Sequence, residues 1–225
     1  MKLLLSSAGF DKNPKIAKDF LELIDKNPSK IRVFLITIVP KNNKKSWKSI
    51  QIIVKQLEKI GINPKNVSIF SLDRKVKWNE FKNIDVIYVC GGNTFRYLDK
   101  IRKTGLDKII KRFIKKGKVY FGVSAGSYIL CPTIEMSTWG PKDYNIIGLK
   151  NLTGLKLIPF WLVAHYEKDY YYPFLLKVAK ATKYPIIALR DTQAVLINGK
   201  KIQFLGPGRI TMFNISQKSL GYLVK

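Results

Sequence analysis

Short apolar, β-branched runs alternate with amphipathic helical stretches along the first half of this chain. That alternation limits the fold more than any other feature. Leu3 to Ser6 reads as a strand, and Pro14 to Asp25 as a helix with Ile16, Phe20, Leu23 and Ile24 on one face. Ile31 to Val39 is nearly unbroken apolar sequence, as expected of a strand covered on both faces. Trp47 to Ile60 is helical and stops at Gly61, and Val67 to Phe70 is a short strand. Asp85 to Val89 is another strand, and it runs into Cys90-Gly91-Gly92-Asn93-Thr94. Phe95 to Lys116 is helical with a break near Gly105, Gly117 closes it, and Val119 to Val123 is the next strand. Repeated strand–helix units predict an α/β fold of three layers, a mostly parallel sheet flanked by helices. After Trp161 the pattern shortens to strands near Ile186–Leu189, Ala194–Ile197, Ile202–Phe204 and Thr211–Phe213, with turns such as Asn198-Gly199. These read as a final strand plus antiparallel ribbons. With no linker, repeat or low-complexity stretch, one domain over residues 1–225 is expected.

No apolar run approaches the roughly 20 residues that span a bilayer, and MKLLLSSAGF is too short for a secretory signal. Cys90 and Cys131 have no metal-ligand or CxxC spacing. A cytoplasmic protein without metal, cofactor or membrane partner is expected. The net charge of +26 would suit a nucleic-acid binder. The cations, however, are mostly lysines spread from Lys2 to Lys225, whereas sequence readers lean on clustered arginine. A solvated lysine surface that attracts acidic partners is the preferred reading.

The chemistry concentrates in Val119-Tyr120-Phe121-Gly122-Val123-Ser124-Ala125-Gly126-Ser127. Gly122 to Gly126 matches G-x-S-x-G, preceded by a strand and followed by Ser127-Tyr128-Ile129-Leu130, which can begin a helix. Flanking glycines let the backbone turn sharply enough to expose a serine oxygen. A helix N-terminus behind it would offer amides and positive dipole to an oxyanion. Small residues also crowd such corners for steric reasons alone.

A nucleophilic serine needs a base. The chain has one histidine, His165, at the end of the strand-like run Phe160-Trp161-Leu162-Val163-Ala164. Catalytic groups of parallel sheets gather at the carboxyl ends of strands, where Ser124 and His165 both fall. The imidazole then needs an orienting carboxylate. Glu135, Asp143, Glu167 and Asp191 are candidates. Glu167 is too near in sequence to reach the distal ring nitrogen readily, and spacing does not choose among the others. Gly91-Gly92 can supply a second oxyanion amide. It lacks the spacing of a dinucleotide loop and the lysine of a phosphate loop.

These segments resemble the peptidase E family of serine peptidases (S51, with aspartyl dipeptidases and cyanophycinases), of class I glutamine amidotransferase-like fold. LLLSSAGF resembles the family's first strand and loop, DVIYVCGGNTFRYL its GGNTF motif, and GVSAGSYILCPTIE its nucleophile segment. LTGLKLIPFWLVAHY resembles the segment carrying its histidine, and IIALRDTQAVLINGKKIQFLG its last strands. The resemblance implies Ser124 as nucleophile and His165 as base. Aligned backward from His165 without gaps, it implies Asp143 as the acid, with Glu135 as the alternative. It also implies oxyanion amides at Gly92 and Ala125, with Asn93 shaping the loop. Cys90 stands where a third glycine is common and Ala164 where proline usually precedes the histidine. The family's substrate-reading arginine is not recognisable in EKDYYYPFLLKV, where Lys168, Arg96 or Arg190 would have to replace it.

The function expected is hydrolysis of short peptides, Asp-X dipeptides among them, through a Ser-His-Asp triad and an acyl-enzyme. Two other readings use the same residues. An α/β-hydrolase esterase shares the elbow and the Ser-Asp-His order but normally adds an HGGG-type segment. A non-catalytic nucleic-acid-binding protein on the same fold would explain the charge and leave the triad idle.

Overall fold

The computed structural model describes residues 1–10, 12–40, 43–139, 143–182 and 184–215. Its main sheet has seven strands in the order β3-β2-β4-β5-β1-β8-β9. The five parallel strands are β1 (Lys2–Ser6), β2 (Val33–Ile36), β3 (Val67–Phe70), β4 (Val86–Val89) and β5 (Val119–Val123). Then β8 (Ala194–Asn198) pairs antiparallel with β1, and β9 (Lys201–Leu205) with β8. The Asn198-Gly199 turn joins that hairpin, with Gly199 at φ 61°, the left-handed conformation such turns need.

Alternate residues of the parallel strands feed two cores, one on each face. Leu3, Leu5, Phe34, Ile36, Ile87, Val89 and Tyr120 join one cluster, and Leu4, Val33, Leu35, Val86, Tyr88 and Phe121 the other. The second face is covered by α1 (Lys15–Ile24), through Ile16, Phe20 and Leu23, and by α2 (Lys44–Lys59), through Ile50 and Leu57. The first is covered by α3 (Thr94–Thr104) and α4 (Leu106–Lys115). The predicted break between these two is Gly105, whose φ of 76° caps α3. Burial of both faces is why the strands read as continuous apolar runs.

Three details differ from the sequence reading. The Ile31–Val39 run yields only a four-residue strand. Ile31 closes a 3-10 turn at Pro28–Lys30, and at the far end Thr37 Oγ1 accepts from the Val39 amide at 3.0 Å and turns the chain. The stretch from Lys168 to Ala181 is a helix, α6, despite Pro173 inside it. Tyr171, Leu175 and Ala179 recur every fourth residue on its buried side, and that packing outweighs the proline and the aromatic run. The last segments also do more than form ribbons. They make a second sheet of order β10-β7-β6, in which β6 (Trp161–Val163) and β7 (Ile186–Ala188) are parallel and β10 (Thr211–Phe213) is antiparallel to β7.

Candidate active site

Strands β4, β5 and β1 lie side by side, so their carboxyl ends open at one rim. Ser124 follows β5 there, at φ 49° and ψ −110°, a conformation that L-residues adopt only when their surroundings hold them in it. The Ser124 amide donates to Ser6 O at 3.0 Å. A side chain at Gly122 would put its Cβ 2.5 Å from Gly126 O, and one at Gly126 would come 2.3 Å from Val89 O. Both glycines are therefore demanded by backbone packing around the turn. The helix behind the serine, α5 (Ala125–Tyr128), has only four residues, and beyond it the Leu130 and Cys131 amides donate to Ser127 O and Tyr128 O in tighter i-to-i−3 turns. The expected helix dipole reduces to the local amides of one turn.

The second sheet brings the other groups. Parallel β6 and β7 end next to each other, and His165 and Asp191 follow them. His165 Nε2 lies 3.0 Å from Ser124 Oγ, and His165 Nδ1 lies 2.6 Å from Asp191 Oδ1. With Nδ1–H donating to the carboxylate, Nε2 faces the serine hydroxyl with its lone pair. His165 has φ 57°, and its backbone is gripped from the main sheet's side. Its amide donates to Ser7 Oγ at 2.7 Å, and the preceding Ala164 amide donates to Tyr128 Oη at 2.9 Å. The Ala164 donor, absent where proline precedes the histidine, is thus satisfied. Buried Ser7 also donates to Asp191 Oδ1 at 2.9 Å.

Asp143 is elsewhere. Its carboxylate accepts from the Thr94 amide at 2.7 Å and from the Thr94 hydroxyl, at the start of α3, where a negative charge is favoured. The ungapped count back from His165 led to Asp143, whereas the carboxylate on the ring belongs to Asp191, which follows β7. Glu135 is exposed on a 3-10 turn, Glu135–Thr138. Among the described residues, only Asp191 of the four carboxylate candidates bonds to the ring. Gly91 packs against the serine, since a Cβ there would lie 3.6 Å from Ser124 Cβ. Gly92 is at φ 147°, with Ile38 and Tyr97 closing the space a side chain would need. Asn93 caps α3 through the Arg96 amide at 3.0 Å and donates to Tyr144 O at 2.9 Å. Asn93 and Asp143 together tie the GGNTF loop to the segment after residue 142. Ala125 immediately follows the serine and is fully buried.

The model of peptidase family S51 matches residues 2–205. The chain belongs to peptidase family S51. An uncharacterised peptidase of Listeria monocytogenes, Lmo0363, is 30% identical over 177 residues, which cover 78% of this chain and 82% of that one. Peptidase E of Shewanella amazonensis is also 30% identical over 177 residues, covering 72% of this chain and 73% of its own. A 1.5 Å crystal structure assigned to peptidase E of L. monocytogenes superposes with a TM-score of 0.72 at 25% identity, covering 92% of this chain and 98% of that one. The α/β architecture and a peptidase activity follow from this membership.

In this S51 chain a cavity of about 860 Å³ borders the histidine and its carboxylate, lined by His165, Glu167, Tyr170, Tyr171, Arg190 and Asp191 among others. Arg190 also borders a neighbouring cavity with Lys168 and Arg209. Among the described residues, it is the one lysine or arginine that lines the histidine's cavity. Cys90, at the end of β4, is buried, and burial pushes its thiol up to about 12. Such a thiol has almost no nucleophilic thiolate at neutral pH. Among the described residues, no cluster of His, Cys, Asp or Glu has the arrangement of a metal site, and no helix is long and apolar enough to cross a membrane.

Proposed function

We propose that this peptidase cleaves short peptides with Ser124 as nucleophile, His165 as general base and Asp191 as the carboxylate that orients it. The observation that carries this reading is the imidazole itself, which bridges Ser124 Oγ at 3.0 Å and Asp191 Oδ1 at 2.6 Å. Ser124 Oγ attacks the scissile carbonyl while Nε2 takes the hydroxyl proton. Asp191 keeps the proton on Nδ1 and stabilises the imidazolium. The amides of Gly92 and Ala125 receive the developing oxyanion. Nε2–H then protonates the leaving amine, and the C–N bond breaks to leave the acyl-enzyme. Water, deprotonated by Nε2, attacks the ester and releases Ser124.

Arg190 is the cation we assign to an acidic substrate side chain, because it shares the His165 cavity. Asp-X dipeptides are the first substrates to try. The test is amine release from Asp-X, Glu-X, neutral and basic dipeptides, with wild type beside Ser124→Ala. Turnover of acidic dipeptides that vanishes in Ser124→Ala is expected. Equal turnover in both proteins would overturn the serine mechanism.

A further inference from the structure

We infer that Ser7 is a positioning residue of this site, one that locks histidine and carboxylate into a single unit. The proposal rests on the Ser124-His165-Asp191 reading. Ser7 follows β1 and is fully buried. Its hydroxyl donates to Asp191 Oδ1 at 2.9 Å, the same oxygen that accepts from His165 Nδ1 at 2.6 Å. Its oxygen accepts from the His165 amide at 2.7 Å. The three contacts close a ring through the His165 backbone, the His165 side chain, Asp191 and Ser7.

Each link does something that the others cannot. The bond from Ser7 fixes the Asp191 carboxylate in rotation, so that Oδ1 stays in line with the imidazole. The bond to the His165 amide holds that residue at φ 57°, an uncommon conformation for a residue with a Cβ. The strand carrying Ser7 pairs directly with β5, with Ser6 opposite Val123, which sets the hydroxyl near the serine elbow. One side chain that follows the main sheet's β1 thus bonds to both residues that follow the second sheet's β6 and β7. Charge-assisted hydrogen bonds are the strong ones, and here one donor serves a half-exposed carboxylate from the buried side. Tyr128 bonds to the Ala164 amide, one residue short of the histidine, and so does not replace Ser7.

Ser7→Ala and the near-isosteric Ser7→Cys, whose thiol is a weak donor, should fold and bind substrate. kcat on the best dipeptide should fall about 10- to 100-fold, with KM little changed. A second readout needs no turnover. His165 is the only histidine in the chain, so the low-field Nδ1–H proton resonance reports on it alone. In both variants that resonance should move upfield or broaden by exchange with water, while Glu167 and Arg190 in the same cavity are unaltered. A resonance unmoved in the folded variants overturns the proposal, whatever happens to kcat. If wild type cleaves nothing yet the resonance moves, Ser7 keeps its role and the peptidase mechanism fails.

Discussion

Asp191 Oδ1 lies 2.6 Å from His165 Nδ1 because two parallel strands end in register. Val163 pairs with Ala188. Beyond that pair the Leu189 amide donates to Val163 O at 2.8 Å, and the Tyr166 amide donates to Leu189 O at 3.0 Å. The ladder continues just far enough to set imidazole and carboxylate side by side. Asp191→Asn should therefore lower kcat by about 10⁴-fold, since an amide partner favours the wrong tautomer. Asp143→Asn removes a charge from the start of α3 and should act mainly through loop order and stability. Steady-state kinetics of the two variants separates them. A large kcat loss in Asp143→Asn, with Asp191→Asn near wild type, would reverse the assignment.

Gly126, the second residue of α5, offers a steric test. Gly126→Ala places a Cβ 2.3 Å from Val89 O, and neither backbone segment can yield without disturbing the sheet or the elbow. Overpacking of this kind costs about 1–3 kcal/mol or more. Thermal unfolding should show a clear loss of Tm, and any folded fraction should have lost turnover through displacement of Ser124. A variant with wild-type Tm and kcat would mean that the turn is not so tightly packed.

The sequence made the parallel strands and most of the helices legible because both faces of the sheet are buried and the apolar runs stand out. The Gly105 break and the Ser124 turn were legible through glycine, whose conformational freedom those positions use. The partner of His165 was not. It depends on β6 and β7 pairing across α6, and α6 itself was hidden by Pro173 and a run of tyrosines. Ser7 sits beside Ser6 in an ordinary strand end, and nothing in local pattern separates the two. Only the meeting of the two sheets shows which hydroxyl reaches Asp191.

Cys90 and Cys131 should both resist alkylation in the native protein. Burial raises each thiol to about 12, so the thiolate is scarce below that pH and grows only as pH rises toward it. Iodoacetamide near pH 8 should leave activity unchanged and label neither residue, and unfolding should release both for labelling. Rapid inactivation that tracks modification of Cys90 would instead make it part of the chemistry.

The net charge of +26 and the single cation at Arg190 act over different ranges, and salt distinguishes them. Diffuse attraction reaches over the Debye length, about 10 Å at 0.1 M salt and about 3 Å at 1 M. A guanidinium in contact with a substrate carboxylate is screened much less. kcat/KM for acidic dipeptides should therefore fall as salt is raised from about 0.05 to 0.5 M, while neutral dipeptides change little. A preference for acidic substrates should remain at high salt, and Arg190→Gln should abolish that remainder. If the preference at high salt survives in Arg190→Gln, the carboxylate is read elsewhere, and Lys168 and Arg209 across the shared wall become the groups to change. If acidic substrates show no salt dependence at all, the lysine surface does not steer them and the contact at the cavity carries the whole discrimination.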